Sequence, residues 1–156
     1  MENTLVLIKP DGVQRRLIGT ILARFEAKGL QIAALKMIRI PKELAERHYA
    51  PHKGKPFYPG LISYICSSPV IGVVLRGRNA IAVTRGMMGA TFGSKALPGT
   101  IRGDFAISDG LNLVHGSDSP EAAAQEIALY FRPEEIHAQA PADQAWVYDC
   151  SGGSPV

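Results

Sequence analysis

Four short apolar runs, separated by segments with helical spacing, set the narrowest limit on what this chain can fold into. Thr4 to Ile8 is the first, ended by "KPDG"; Leu30 to Ile40 is the second, stopped by Pro41. Val70 to Leu75 is the third, and "NLVHGS", residues 112–117, is the fourth. Apolar runs of this length, bounded by Gly, Pro and polar residues, read as buried strands. Between the first two, Ile18, Ile21, Leu22 and Phe25 recur at helical spacing, with Gly29 placed as a C-terminal cap. "KELAERHYAPH", "PFYPGLISYICSS" and "GRNAIAVTRGMMGAT" read as further helices, with Pro59 tolerable only in a first turn. "FGSKALPGTIRGD" reads as a long loop. Ser119 and Pro120 open the last helix, and Ala123, Ile127, Tyr130 and Phe131 give it an apolar face. Such alternation suits a parallel sheet. It suits equally a split βαβ arrangement, with a four-stranded antiparallel sheet and helices on one face. The pattern alone leaves both open.

At 156 residues the chain suits one domain, expected over residues 1–149, with "CSGGSPV", residues 150–156, as a flexible tail. Lys and Arg number 17 against 14 Asp and Glu, without blocks of like charge. That mild excess suits a small anionic ligand better than a nucleic-acid coat. Cys66 and Cys150 have no CxxC or Cys/His spacing, so neither a disulfide scaffold nor a zinc finger is expected. The N-terminal apolar run is too short for a signal peptide, and no segment has transmembrane length, so the expectation is a soluble, cytoplasmic protein.

Neither a Walker loop nor GxGxxG occurs. A phosphate site here has to be made of cations and hydroxyls. The available groups are Lys9 after the first strand, Tyr49 and His52, Arg85 and Thr91 around a helix end, and Arg102 in "GTIRGD". Taken singly, each is explained by solvation or packing. His115 has one feature more. It ends a strand just before a helix N-terminus, where backbone N–H groups favour anions. Imidazole is a competent nucleophile near neutral pH. Ser117 and Glu126 are placed to orient it, Glu126 lying two helical turns beyond Ser119.

From "TLVLIKPDGVQR" to "WVYD", through "GTIRGDF", "NLVHGSDS" and "RPEE", the chain resembles the nucleoside diphosphate kinases. The resemblance implies an α+β, ferredoxin-like βαββαβ sandwich whose four-stranded antiparallel sheet is covered by helices. It implies transfer of a γ-phosphoryl group from a nucleoside triphosphate to a nucleoside diphosphate through a phosphohistidine, with Mg²⁺ carried on the nucleotide phosphates. His115 matches the phosphorylated residue, and Ser117 and Glu126 those that position it. Lys9 and Asn112 match the groups at the ribose hydroxyls, Lys9 also lying near the transferred phosphate. Tyr49, His52, Arg85, Thr91 and Arg102 match the phosphate-binding set, and Phe57 and Leu61 the apolar residues beside the base. A homo-oligomer is implied; Pro98 and the long C-terminal segment resemble the hexameric type, with a tetramer as the alternative.

Four positions depart from the family pattern. Phe92 and Gly93 stand where Asn or Asp and then Pro are usual. Asp109 replaces an apolar residue that touches the base, and is expected either to point to water or to accept hydrogen bonds from guanine. Leu111 stands where a charged or polar residue is common. Two other readings remain: a non-catalytic nucleotide-binding homologue, and a nucleic-acid-binding sheet. The second needs a pair of sheet-face aromatics, whereas "RGDFAISD" offers one.

Overall fold

The computed structural model describes residues 1–153. Four strands form one sheet: β1 (Glu2–Ile8), β2 (Gln31–Ile38), β3 (Val70–Gly77) and β4 (Val114–Gly116). Their order is β2-β3-β1-β4, and every neighbouring pair is antiparallel. The choice that alternation left open therefore falls to the antiparallel sheet. The helices are α1 (Pro10–Gln14), α2 (Ile18–Ala27), α3 (Lys42–His48), α4 (Tyr58–Cys66), α5 (Ala80–Met88), α6 (Ile101–Phe105), α7 (Pro120–Tyr130) and α8 (Gln144–Val147).

These helices cover both faces of the sheet, which explains why "LVLI" in β1 reads as an unbroken apolar run. Leu5 and Leu7 point to one face and pack with Ala45 of α3, Ile62 and Ile65 of α4, and Ile127 and Tyr130 of α7. Val6 and Ile8 point to the other, with Ile21 and Phe25 of α2, Ala80 and Met88 of α5, and Ile101 of α6. A strand buried on two sides loses its polar alternation.

Helix ends follow the local chemistry. Ser119 Oγ accepts from Ala122 N–H at 3.1 Å, with Pro120 at the first position of α7. Inside the segment read as a loop, Thr100 caps α6 by accepting from Gly103 N–H at 3.0 Å. That Thr-x-x-Gly cap sits among Gly and Pro, which hid the five-residue helix from a periodicity reading. β4 is shorter than its apolar run because Leu113 is left-handed (φ 67°), which breaks strand geometry just before Val114. Gly153 N–H closes an exposed turn onto the Cys150 carbonyl at 3.0 Å, and the remainder of the expected tail, residues 154–156, lies outside the described residues.

Candidate active site

Strand register places the principal groups. Leu7 lies opposite His115, so the imidazole projects to the α3–α4–α7 face, and β4 is an edge strand that leaves the ring accessible. Lys9 continues the Leu5–Leu7 alternation one step beyond β1, and its N–H donates to the Leu113 carbonyl at 2.8 Å. Glu126 reaches the same place from α7.

His115 Nε2 stands 3.0 Å from Glu126 Oε2, and Ser117 Oγ donates to that same oxygen at 2.6 Å. Burial works against a charged Glu126, but the hydrogen bonds from His115 and Ser117 prevail and hold its carboxyl below the usual range. A carboxylate can only accept, so Nε2 carries the ring proton and Nδ1 keeps its lone pair. Ser117 is itself fixed, because its hydroxyl also accepts from Leu5 N–H at 3.3 Å.

Lys9 Nζ, 8% exposed as a residue, donates to Asn112 Oδ1 at 2.6 Å. Asn112 Nδ2 in turn donates to the Thr91 carbonyl at 2.8 Å. Burial, with a smaller contribution from Arg102, lowers the Lys9 ammonium to about 8, while Asp11 opposes the shift. Asp11, which the sequence did not single out, accepts from the Tyr64 hydroxyl at 2.5 Å and from Leu113 N–H at 3.1 Å. It thereby ties α4 to the loop beneath Lys9.

Arg102 is built into the walls of the site. Its Nε donates to the Asn112 carbonyl at 3.1 Å, Nη2 to Val114 at 2.7 Å, and Nη1 to Gly89 and Ala90 at 2.9 and 3.4 Å. Of its five N–H groups these bonds leave one on Nη2 for a ligand. Burial, then the neighbouring Arg85, lowers its guanidinium to about 10. Arg85 is exposed on α5, its Nη1 touching the Gly116 carbonyl at 3.3 Å. Two cations thus converge beside β4.

A line of rings leads outward from His115. Tyr49 lies 6.2 Å from His115 and 6.2 Å from His52, and His52 lies 5.6 Å from Phe57, between ring centroids. Tyr49 is buried, while Phe57 is exposed and open for stacking. Leu61 is half-buried against the core on that side of the sheet. Burial, then Lys55 and His115, lowers the His52 imidazole below its usual range. Thr91 is exposed in the loop after α5, where its carbonyl anchors Asn112. Hydrogen bonds thus join Lys9, Asn112, Thr91 and Arg102, while ring contacts run from His115 through Tyr49 and His52 to Phe57.

His48 is the largest omission from the sequence reading. Its ring sits 4.5 Å from that of His115, edge to face, between Tyr49 and Tyr130. Burial, then the nearby His115, lowers it to about 3. Only its place in "ERHYAPH", one helical turn before His52, hinted at it.

The departures have local explanations. Asp109 is exposed to water, and its Oδ1 accepts from Ser94 N–H at 3.1 Å and Ser94 Oγ at 2.7 Å. Gly93 makes this possible, since a Cβ there would stand 2.4 Å from the Ala106 carbonyl oxygen. Phe92 is half-exposed with Lys95 Nζ 5.5 Å from its ring centroid, and nothing in the structure explains the exposed Leu111.

The family model described as "Nucleoside diphosphate kinase" matches residues 2–136. A nucleoside diphosphate kinase of Thermus thermophilus is 61% identical over 136 residues, covering 87% of this chain and 99% of that one. One of Pelotomaculum thermopropionicum is 55% identical over 149 residues, covering 96% and 100%. Among solved structures, a halophilic nucleoside diphosphate kinase from Halobacterium salinarum in complex with CDP superposes with a TM-score of 0.93. It is 49% identical and covers 95% of this chain and 99% of its own.

Proposed function

The chain belongs to the nucleoside diphosphate kinase family, and from that premise we propose that it passes the γ-phosphoryl group of a nucleoside triphosphate to a nucleoside diphosphate by way of His115. One observation carries this reading: a single Glu126 oxygen engages both His115 Nε2 and Ser117 Oγ, leaving Nδ1 as the free nucleophile.

The Nδ1 lone pair attacks the γ-phosphorus, and the bond to the β-phosphate oxygen breaks, releasing the diphosphate. The ring becomes cationic, and Glu126 stabilises that charge through the Nε2 proton it already holds. A β-phosphate oxygen of the acceptor then attacks the same phosphorus from the vacated side and frees the ring. Phosphoryl transfer of this kind needs in-line placement and relief of charge. Arg85, Lys9 and the remaining Arg102 N–H supply the charge. A cation about 4 Å from a phosphate contributes roughly 4 kcal/mol at an effective dielectric of 20, before desolvation. Lys9 and Asn112 serve the ribose hydroxyls, and Tyr49, His52 and Thr91 complete the phosphate set. Phe57, beside Leu61, stacks on the base, which favours no particular base.

Mg²⁺ would be held mainly by the nucleotide phosphates and would neutralise their charge. The carboxylates near the cleft support this: Glu126, Asp11 and Asp109 already accept from His115 and Ser117, Tyr64 and Leu113, and Ser94. The nucleotide phosphates supply the oxygen ligands that a hard cation demands. The unit of function is one domain over residues 1–149 acting in the cytoplasm; among the described residues no helix is long and apolar enough to cross a membrane. Exposed Leu35 and Met37 on the outer strand β2, with Leu97, Ile107 and Trp146 elsewhere, support a homo-oligomer, a hexamer in preference to a tetramer. The intact His115–Glu126–Ser117 set disfavours a non-catalytic homologue.

Incubation with γ-labelled ATP and Mg²⁺ is expected to give an acid-labile, base-stable label that GDP discharges as GTP. Direct transfer without a labelled protein would overturn the reading. Two further results follow from the geometry. In the free protein Lys9 loses its charge above a pH of about 8, so kcat/KM should fall on the alkaline side from there. Lys9→Arg, which stays charged, should lack that limb. Unfolding returns Lys9 to 10.5, so the unfolded chain binds more protons between about 8 and 10.5. Stability from this group therefore rises with pH across that window. Asp109→Val should leave the ratio of kcat/KM for GDP and CDP unchanged, because Ser94 already occupies the carboxylate; a shifted ratio would return Asp109 to the base.

A further inference from the structure

His48 is 7% exposed, yet among the described residues neither of its ring nitrogens has a hydrogen-bond partner. A buried imidazole with two unpaired nitrogens is costly and rarely kept without a use. One nitrogen of His48, one of His115 and a carboxylate oxygen of Glu126 all lie within 4.8 Å of one another. We propose that His48, His115 and Glu126 form a site for a zinc-class divalent cation, separate from the Mg²⁺ that travels with nucleotide, and that the bound ion blocks phosphorylation of His115.

Two imidazoles and a carboxylate form a set that zinc takes in four-coordinate sites, with the fourth position open to water. Such a set is too rich in nitrogen for Mg²⁺. Tetrahedral bonds of about 2.0–2.1 Å place ligand atoms about 3.4 Å apart. The His115 Nε2–Glu126 Oε2 pair, at 3.0 Å, is near that separation already. His48 has to close the rest, and it is the last residue of α3, where the helix constrains it least. Ser117 Oγ, donating to Glu126 at 2.6 Å, orients the carboxylate as outer-shell partners of metal ligands do. The His115 and Glu126 side chains are 22% and 16% exposed, which opens a path from the cleft while His48 closes the rear.

The ion binds Nε2, and the ring proton it displaces moves to Nδ1, whose lone pair is thereby lost. The ion also withdraws Glu126 from the nucleophile and sets a dication where phosphoryl transfer would leave a cationic ring. Binding stands on the three ligands alone; the block on phosphorylation rests on the phosphohistidine reading.

Titration of the full chain with Co²⁺, without nucleotide, tests the site directly. One ion per chain is expected, with visible d–d bands of four-coordinate cobalt, no thiolate charge-transfer band, and displacement by Zn²⁺. His48→Asn and, separately, Glu126→Gln should each weaken binding more than about 100-fold, beyond what loss of an outer-shell partner costs. His48→Gln replaces His48→Asn if the latter fails to fold. Absent bands at saturating Co²⁺, or undiminished affinity in the variants, would overturn the site. Zinc-loaded protein in excess Mg²⁺ should take up no label from γ-labelled ATP, whereas His48→Asn with the same zinc should be labelled. Full labelling of the zinc-loaded wild type, with the cobalt bands present, would overturn the block, and a metal-free chain that takes no label would instead sink the kinase reading.

Discussion

His115→Ala should lose the acid-labile phosphoprotein completely and lower kcat by at least about 10⁴-fold. The size follows from the kind of group removed. Arg85, Lys9 and Arg102 can still hold and orient phosphates without it, but only the ring supplies the lone pair that forms the bond. His48, 4.5 Å away, is no substitute, because its ring lies behind that of His115 between Tyr49 and Tyr130. Folding should hardly change, since Glu126 keeps its 2.6 Å bond from Ser117. A shift within about 1 kcal/mol in thermal or urea unfolding is expected. Single-turnover transfer assays and intact-protein mass measurement read the two effects separately. A labelled His115→Ala protein would place the nucleophile elsewhere.

Arg102→Ala should damage stability and activity together. The guanidinium joins the end of α5, through Gly89 and Ala90, to the Asn112–Val114 segment that carries Asn112 and leads into β4. Its removal leaves buried carbonyls without donors and lets the two walls of the cleft part. A loss on the order of 3–5 kcal/mol is expected, which lowers Tm by on the order of 10 °C. Nucleotide KM should rise with it, because Asn112 and Thr91 lose their common support. Arg102→Lys should recover little, since one ammonium cannot reach carbonyls on three sides. Calorimetry with steady-state kinetics on both variants checks this. An Arg102→Ala protein with native Tm and raised KM would reduce Arg102 to a phosphate ligand.

Much of the catalytic set was readable along the chain because its members stand at element ends, where apolar periodicity stops. Lys9 ends the β1 run, His115 closes the "NLVHGS" run, and Ser119 marks the helix that brings Glu126 back. His48 was not readable, because a histidine on a short helix looks the same whether it faces solvent or another imidazole. Asp11 looked like a turn residue and proved to be a brace between α4 and the loop under Lys9. The bond from Ser94 to Asp109 was unreadable for a related reason: a carboxylate in a polar loop has no periodicity to name its partner, and Ser94 lies fifteen residues away.

The sequence by itself determined the four strands and the principal helices, because hydrophobic period and capping chemistry are local; the roles proposed for His115, Ser117 and Glu126 rest on the family resemblance of the motifs around them. The antiparallel sheet, which the family resemblance implied, is confirmed by the strand pairing, and tertiary structure alone decided that it is buried on both faces. It alone decided that Arg102 spends most of its donors on backbone carbonyls, and that an unpaired imidazole lies behind His115. Those outcomes depend on strand order and on contacts between residues far apart in the chain, which the spacing of neighbours does not encode.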